Sequence, residues 1–574
     1  MLTFNYLKKN LKKDDTGFKP VRLAILADSA TQLLHQAIKG YGIEVGIDFQ
    51  IFEADYNQIE RQVFDSSSEL YEFNPEFLVI NFSAEKLLKK FYKTPPSLQA
   101  LFAENEINNI NSIIHTLTSK LKSKILVNTF IEINDSVFGN YAAKTNQSFI
   151  YQIRKLNLQF LDLSAEVKNL FVYDLASLQS ELGYHFIIDT KNYVSADMVY
   201  SIDFLPYIAK QITDVVLAIL GSFKKCLILD LDNTTWGGII GDDGMEGIQV
   251  GDLGIGKAFT ELQYWAKQLK QRGIILCICS KNTEEIAKEP FEKHPQMVLR
   301  LDDIAIFVAN WENKVDNIRY IQSVLNIGFD SMVFLDDNPF EREMVRNGIP
   351  EIFVPELPED PADYLKHIRT LNLFETSSFT AEDEQRTLQY QEEAKRNILQ
   401  KSFASEAEFL ENLEMKSEVK NFDKFTIPRV AQLTQRSNQF NLRTIRYTEE
   451  EVQSIATSSD YLTLSFTLED KFGDHGLIGV VILKYINEQT LFIDTWIMSC
   501  RVLKRGMENF TLNTIVDKAK EKGITKIIGE YLPTKKNAIV KDHYQQLGFI
   551  FDNYQWILDL NNINLKDTFI TVKK

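Results

Sequence analysis

Short apolar runs alternate with helix-periodic segments through the first third of the chain. VRLAILAD (21–28), EFLVINFS (76–83) and SKILVNTFI (123–131) each close on a polar turn, and segments between them, such as SIIHTLTSKL, carry apolar residues at helical spacing. The alternation predicts a parallel sheet covered by helices, with sites at the carboxyl ends of its strands. Asp28, Ser29, Asn81 and Asn128 stand at those ends. The pattern restarts at about 224 with CLILDLD, GIILCICS, IAIFVAN and SMVFLDDNP. A helix, LGIGKAFTELQYWAKQLKQRG, separates the first two and closes on Gly273 as a C-cap. Residues 376–415 are charged, with helix starts at Thr380/Asp383 and Ser405/Glu408, and read as a linker that packs on its neighbours. Beyond about 422, strand runs joined by a turn at FGDHG, the helix MENFTLNTIVDKAKEKG and the short runs KIIGEYL and YQWILDL predict a mixed α+β fold. The expected organisation is an α/β multidomain chain: domains at 1–220, 221–375 and 421–574, with a helical linker at 376–420.

Composition narrows the class. With 574 residues, 44% of them hydrophobic and 25% charged, the chain is a folded protein of several domains. A net charge of -16 argues against nucleic acid or an anionic membrane as the main partner. Four cysteines make no disulfide framework, and MLTFNYLKKNLKKDD has no apolar core of a signal peptide. The apolar run at Val215–Leu220 is too short to span a bilayer. A cytoplasmic protein with no membrane partner is expected.

The chemistry gathers in the second domain. Asp230 and Asp232 follow one apolar run, Ser280 ends the next, Lys314 follows the third, and Asp336 and Asp337 end the fourth. Carboxylates, a hydroxyl and an ammonium on four strand ends suit phosphoryl transfer assisted by a hard cation such as Mg²⁺. DLDNT, CSKN, the lysine and LDDNP resemble the four motifs of the haloacid-dehalogenase-like (HAD-like) phosphotransferases, a Rossmannoid fold. That resemblance implies Asp230 as the phosphorylated nucleophile and Asp232 as general acid/base, which also gives a backbone oxygen to Mg²⁺. It further implies Lys314 as the steadying lysine, Ser280 as phosphate-binding hydroxyl, and Asp336 with Asp337 as the acidic pair completing the metal site. Asn282 and Thr234 join Ser280 as expected phosphate ligands.

DLDNTTWGGIIGDDG, ANWENKVDNI and FLDDNPFEREMVR narrow the likeness to FkbH-like proteins (HAD subfamily IIIC type) of polyketide, peptide and saccharide biosynthesis. Thr235 stands where their motif has leucine. The resemblance implies dephosphorylation of an acyl phosphate, 1,3-bisphosphoglycerate, and loading of its glyceryl unit onto an acyl carrier protein. Trp236-Gly237-Gly238 is a tight turn under a packed tryptophan, or a short lid; no insertion after Thr234 is long enough for a large cap domain. Cys279 is either a core residue or a thiol able to hold the acyl unit, and Cys500 is a second candidate thiol. MSCRVLKRGMENFTL and NAIVKDHYQQLGF resemble the coenzyme A region of Gcn5-related (GNAT-like) acetyltransferases. By that resemblance Arg501, Lys504, Arg505 and Gly506 would hold phosphopantetheine or CoA, and Tyr544 would be an acid or a core residue. Asn438, Gln439 and Asn441 either orient substrate or cap a helix. ILADSAT faintly resembles the nucleophile block of SGNH-type hydrolases, without the late D-x-x-H, so the first domain is expected to be an SGNH-like scaffold. Two rivals stand beside the carrier-loading reading: a small-molecule phosphatase fused to an N-acyltransferase, and a noncatalytic carrier-binding scaffold.

Overall fold

The apolar runs become strands. The computed structural model describes residues 1–574 except 381–382, 384–385, 401–402, 404, 500–501, 504, 535 and 574, and except the side chains of 394–395 and 397–398. The described residues form three sheets within two compact units, Met1–Leu217 and Ala218–Lys574.

In the first unit β1 (Lys19–Ala27), β2 (Ile47–Glu53), β3 (Phe77–Asn81), β4 (Lys124–Asn128) and β5 (Leu170–Tyr173) form an all-parallel sheet in the order β2-β1-β3-β4-β5. The apolar pattern marks β1, β3 and β4. It misses the edges: β2 reads IDFQIFE, with only Ile47 and Phe49 buried, and β5 has only four residues.

In the second unit β6 (Cys226–Leu229), β7 (Ile275–Ser280), β8 (Ile306–Ala309) and β9 (Met332–Leu335) form a second parallel sheet, ordered β8-β7-β6-β9. Strand periodicity splits its side chains between two cores. Leu227, Leu229, Leu276 and Ile278 pack with Trp236, Phe259 and Phe291, whereas Cys226, Ile228, Cys277 and Cys279 pack with Ile318, Phe334 and Tyr390. Tyr390 belongs to the helix Arg386–Gln400, so the charged linker closes the second core. Each of the two helix-start signals makes a capping bond: Asp383 Oδ2 accepts from Thr380 N, and Ser405 Oγ accepts from Glu408 N.

The third sheet contains β10 (Lys416–Ser417), β11 (Val419–Lys420), β12 (Tyr461–Asp470), β13 (Gly473–Asn487), β14 (Thr490–Met498), β15 (Lys526–Gly529), β16 (Ile550–Asp552), β17 (Gln555–Asp559) and β18 (Thr571–Val572). Its path is β16-β17-β15-β14-β13-β12-β10-β18, with β11 on β12. The β12–β13 turn sits at Lys471–Phe472, a step earlier than FGDHG suggests, because the Asp470 carboxylate accepts from Phe472 N and Gly473 N. The parallel pair β14–β15 is joined by the helix Met507–Glu521 and holds register only over Thr490–Phe492 and Lys526–Ile528. Past that point the chain itself stands between them. Met498 N donates to Phe440 O, Leu532 N donates to Leu442 O, and Arg443 pairs with both Asp494 and Glu530. Among the described residues, no helix is long and apolar enough to cross a membrane.

Candidate active site

Three carboxylates meet at the carboxyl edge of the second sheet. Asp230 follows β6 and Asp336–Asp337 follow β9; one carboxylate oxygen of each lies within 4.8 Å of the others. Lys314 opens the helix Lys314–Leu325, whose cap is the Asn313 side chain. Its Nζ lies 2.8 Å from Asp230 Oδ1 and 2.6 Å from Asp336 Oδ2. Asp230, Lys314 and Asp336 are buried. One ammonium against three carboxylates leaves negative charge in excess. Burial, then the Asp230 charge, pushes Asp336 up to about 7 against the pull of Lys314. The same two causes raise Asp337. Burial works against the Lys314 ammonium, but Asp230 and Asp336 outweigh it and hold its pKa above the ordinary lysine value. An all-oxygen set with surplus negative charge fits a hard divalent cation such as Mg²⁺, which Asp230, Asp336 and Asp337 could hold.

Asp232 keeps its side chain out of this cluster. Its Oδ1 accepts from Trp236 Nε1 and Ile240 N, each at 3.0 Å, and its Oδ2 accepts from Asn282 Nδ2 at 2.9 Å. Asn282 also donates to Ser280 Oγ at 3.2 Å. It therefore ties the expected acid/base to the expected phosphate hydroxyl, where the sequence suggested a phosphate ligand. Thr234 Oγ1 accepts from Asp337 N at 2.9 Å and donates to Asp337 Oδ1 at 3.3 Å, so this hydroxyl braces a carboxylate. Trp236 is fully buried against Phe291 and is no lid. The turn around it is fixed by Asn233, in the left-handed region at φ 53°, whose Oδ1 accepts from Gly238 N at 2.9 Å. Gly238 has φ +88°, and a Cβ there would lie 2.6 Å from Asp243 Oδ2, so glycine is required.

Sequence reasoning missed two supports. Thr235 Oγ1 donates to the Asp230 carbonyl at 2.6 Å. Buried Arg342 donates to the Asp336 and Asp337 carbonyls at 2.9 and 2.6 Å and pairs with Glu356. The only sign of Arg342 was its place in FEREMVR after the acidic pair.

In the third sheet the candidates do not converge. Cys500, Arg501 and Lys504 lie outside the described residues. Gly506 opens the helix Met507–Glu521 with φ +73°. Arg505, expected to meet a phosphate, is buried and engaged: it pairs with Glu393 and with Asp470 at 3.1 Å, and contacts His475 Nε2 at 2.9 Å. Tyr544 is a core residue, fully buried against Gly529, and burial drives its phenol pKa far up. Cys279 is also corrected to core: its thiol is fully buried, lies 3.9 Å from the Lys314 carbonyl, and is raised by burial. Asn441 takes structural bonds, donating to Ser437 O and accepting from Thr444 N, and Asn438 donates to Gly221 O.

Residues 22–217 match the family described as FkbH, N-terminal domain. The N-terminal part of BF1531 from Bacteroides fragilis, a solved structure containing a phosphatase domain complexed with Mg, is 51% identical over 66% of this chain and all of that one, with a TM-score of 0.64. This chain belongs to the FkbH-like phosphatase-domain family. Two acetyltransferases are far more remote. The ribosomal-protein-S18-alanine N-acetyltransferase of Escherichia coli matches 26% of this chain and 99% of its own at 15% identity and TM-score 0.21. The PaiA N-acetyltransferase of Thermoplasma acidophilum, solved with coenzyme A, matches 25% and 96% at 18% identity and TM-score 0.19. Neither carries an assignment. Among curated proteins nothing matches.

The FkbH-like N-terminal domain assembles no hydrolase triad among its described residues, and no SGNH-type protein is among the matches that would support an SGNH-like scaffold. Ser29 is buried, His35 is tied to Glu53 at 2.8 Å, and Asp197 pairs with Lys86 at 2.5 Å. The other strand-end residues hold one another. Both Asp28 oxygens accept from Ser83 N, Asn128 bonds the Phe82 backbone in both directions, and Asn81 Oδ1 accepts from Tyr173 Oη.

Proposed function

We propose that this chain is a Mg²⁺-dependent HAD-type phosphatase acting on a small phosphorylated substrate. The observation that carries the reading is the Asp230–Lys314–Asp336–Asp337 cluster at one sheet edge, in a relative of a protein whose phosphatase domain was solved with Mg. Asp230 attacks phosphorus as the bond to the leaving oxygen breaks, and Asp232 gives that oxygen its proton. Asp232 then takes a proton from water, whose oxygen displaces phosphate and restores Asp230. Ser280 Oγ already accepts from Asn282, which leaves its own proton to donate to the phosphoryl group. Lys314 balances the Asp230 charge, and bound Mg²⁺ would offset charge on the transferring oxygens.

Loading of a glyceryl unit from 1,3-bisphosphoglycerate onto a carrier protein is the finer reading. It rests on the FkbH likeness and has less support from the site: Cys279 is sealed in the core, Arg505 is engaged by carboxylates, and Phe440–Leu442 fill the space between β14 and β15. We read the α+β domain as GNAT-like on its strand–helix–strand order, and a phosphopantetheine or CoA ligand as part of the loading reading alone. The test is phosphate release from a panel of phosphoesters and acyl phosphates, with Mg²⁺ or EDTA, alongside intact-mass analysis of carrier proteins. Release without a carrier supports the phosphatase. A glyceryl mass on a carrier adds the loading step, and no release from any substrate leaves a scaffold.

A further inference from the structure

A cavity of about 500 Å³ lies at the amino edge of the second sheet, the edge opposite Asp230. Lys225 and Ile275 stand there at the starts of β6 and β7, and Asp330 just before β9. Arg386 enters from the helix Arg386–Gln400, and Arg429 and Arg436 from the helix Ile427–Arg436. Gln439, Met498 and Lys536 close it at the parted end of β14. The volume falls in the range of small-molecule sites.

Among the described lining residues cations outnumber carboxylates. Lys225, Arg386, Arg429, Arg436 and Lys536 face Asp330 and Glu351 among the described lining residues. Lys536 pairs with Asp330. Behind the wall, Arg386 and Arg436 share one carboxylate, Asp383, which also accepts from Gln432. Arg436 is fixed further by donating to Thr376 Oγ1 and Ser378 O. Burial and then the neighbouring Arg386 charge bring Arg436 down to about 10, although Asp383 pulls it up. Guanidinium groups held in place on two helices are prepared donors for carboxylate or phosphate oxygens, and partial exclusion of water strengthens their pull.

We propose that this cavity binds a small organic anion bearing carboxylate or phosphate groups, at a site separate from the phosphatase centre. The ligand would touch the second sheet, the linker helix and the α+β domain together, since all three line the cavity. The proposal does not depend on the phosphatase reading.

The full-length chain is titrated calorimetrically with citrate and with pyrophosphate, in EDTA. Without a divalent cation the three carboxylates at the other edge repel anions, so that centre does not compete. One-to-one binding is expected, weakened about tenfold or more in both Arg429→Gln and Lys536→Gln, as for loss of one charge-assisted contact. The stronger probe tells phosphate from carboxylate preference. If Arg429→Gln fails to fold by near-ultraviolet circular dichroism, the half-exposed Lys536 decides alone. No binding of either anion, or binding unchanged in the folded variants, overturns the proposal.

Discussion

Trp236 both packs and holds a candidate acid/base. Its ring fills the core over the sheet, while its indole N–H holds Asp232. Trp236→Phe keeps most of the packing and removes that donor. A hydrogen bond to a charged group contributes about 1.5–3 kcal/mol. We expect kcat for phosphate release to fall about tenfold or more with KM little changed; an unchanged kcat would remove Trp236 from the positioning of Asp232. The four motifs made Asp230, Lys314 and Asp336 legible in the sequence. The hydrogen bonds were not, because Asn282, Thr234 and Thr235 each offered several partners and only the fold selects one. Two acids of the first unit make a separate prediction. Burial raises Asp28 from 3.8 to about 6, despite bonds from Ser83, and raises Glu85 from 4.5 to about 7. Between those values the folded chain holds protons that the unfolded chain has lost, so stability falls as pH rises from about 4 to about 7. Glu85→Gln should relieve about 1–3 kcal/mol of that loss. Thermal melts at about pH 5 and about pH 8 check it: the variant should gain at the higher pH and little at the lower.

At the scale of elements, the linker helix Arg386–Gln400 and the loop before Met507–Glu521 are joined by buried charge. Arg396 pairs with both oxygens of Asp470, at 2.7 and 2.8 Å, and Arg505 pairs with Asp470 and Glu393. Without Arg505, Asp470 keeps Arg396 but Glu393 loses its closer cation, so the cost should stay below the about 3–5 kcal/mol of a buried pair broken outright. Arg505→Met should therefore lower the melting temperature of the whole second unit; a stable variant with a selective loss of ligand binding would instead return Arg505 to the phosphate role. Gly529 supports the core reading of Tyr544 in the same way. A Cβ there would lie 2.4 Å from the phenol ring, so Gly529→Ala should destabilise by about 1–3 kcal/mol by overpacking, measured by denaturant unfolding. A charged run at helical spacing announced the linker helix, but periodicity could not say which carboxylates Arg396 and Arg505 would find, since the bonds to Asp470 and from Arg505 to Glu393 span 35 to 112 residues.

At the scale of the molecule, the alternation of runs placed all four strands of the second sheet and the three central strands of the first, and missed the first sheet's edges: β2 interleaves polar residues and β5 is only four residues long. It could not foresee that Phe440–Leu442 would stand between β14 and β15, a pairing of segments distant in the chain. The second unit carries opposite charge at its two sheet edges: carboxylates with Lys314 at one, arginines and lysines at the other. The central claim is that Asp230 accepts the phosphoryl group. Rapid acid quench with a ³²P-labelled phosphoester that the enzyme turns over, followed by peptide mapping, tests it most directly. Label on the peptide containing Asp230, absent together with phosphate release in Asp230→Asn, is the predicted result. Phosphate release by folded Asp230→Asn at the wild-type rate would contradict it.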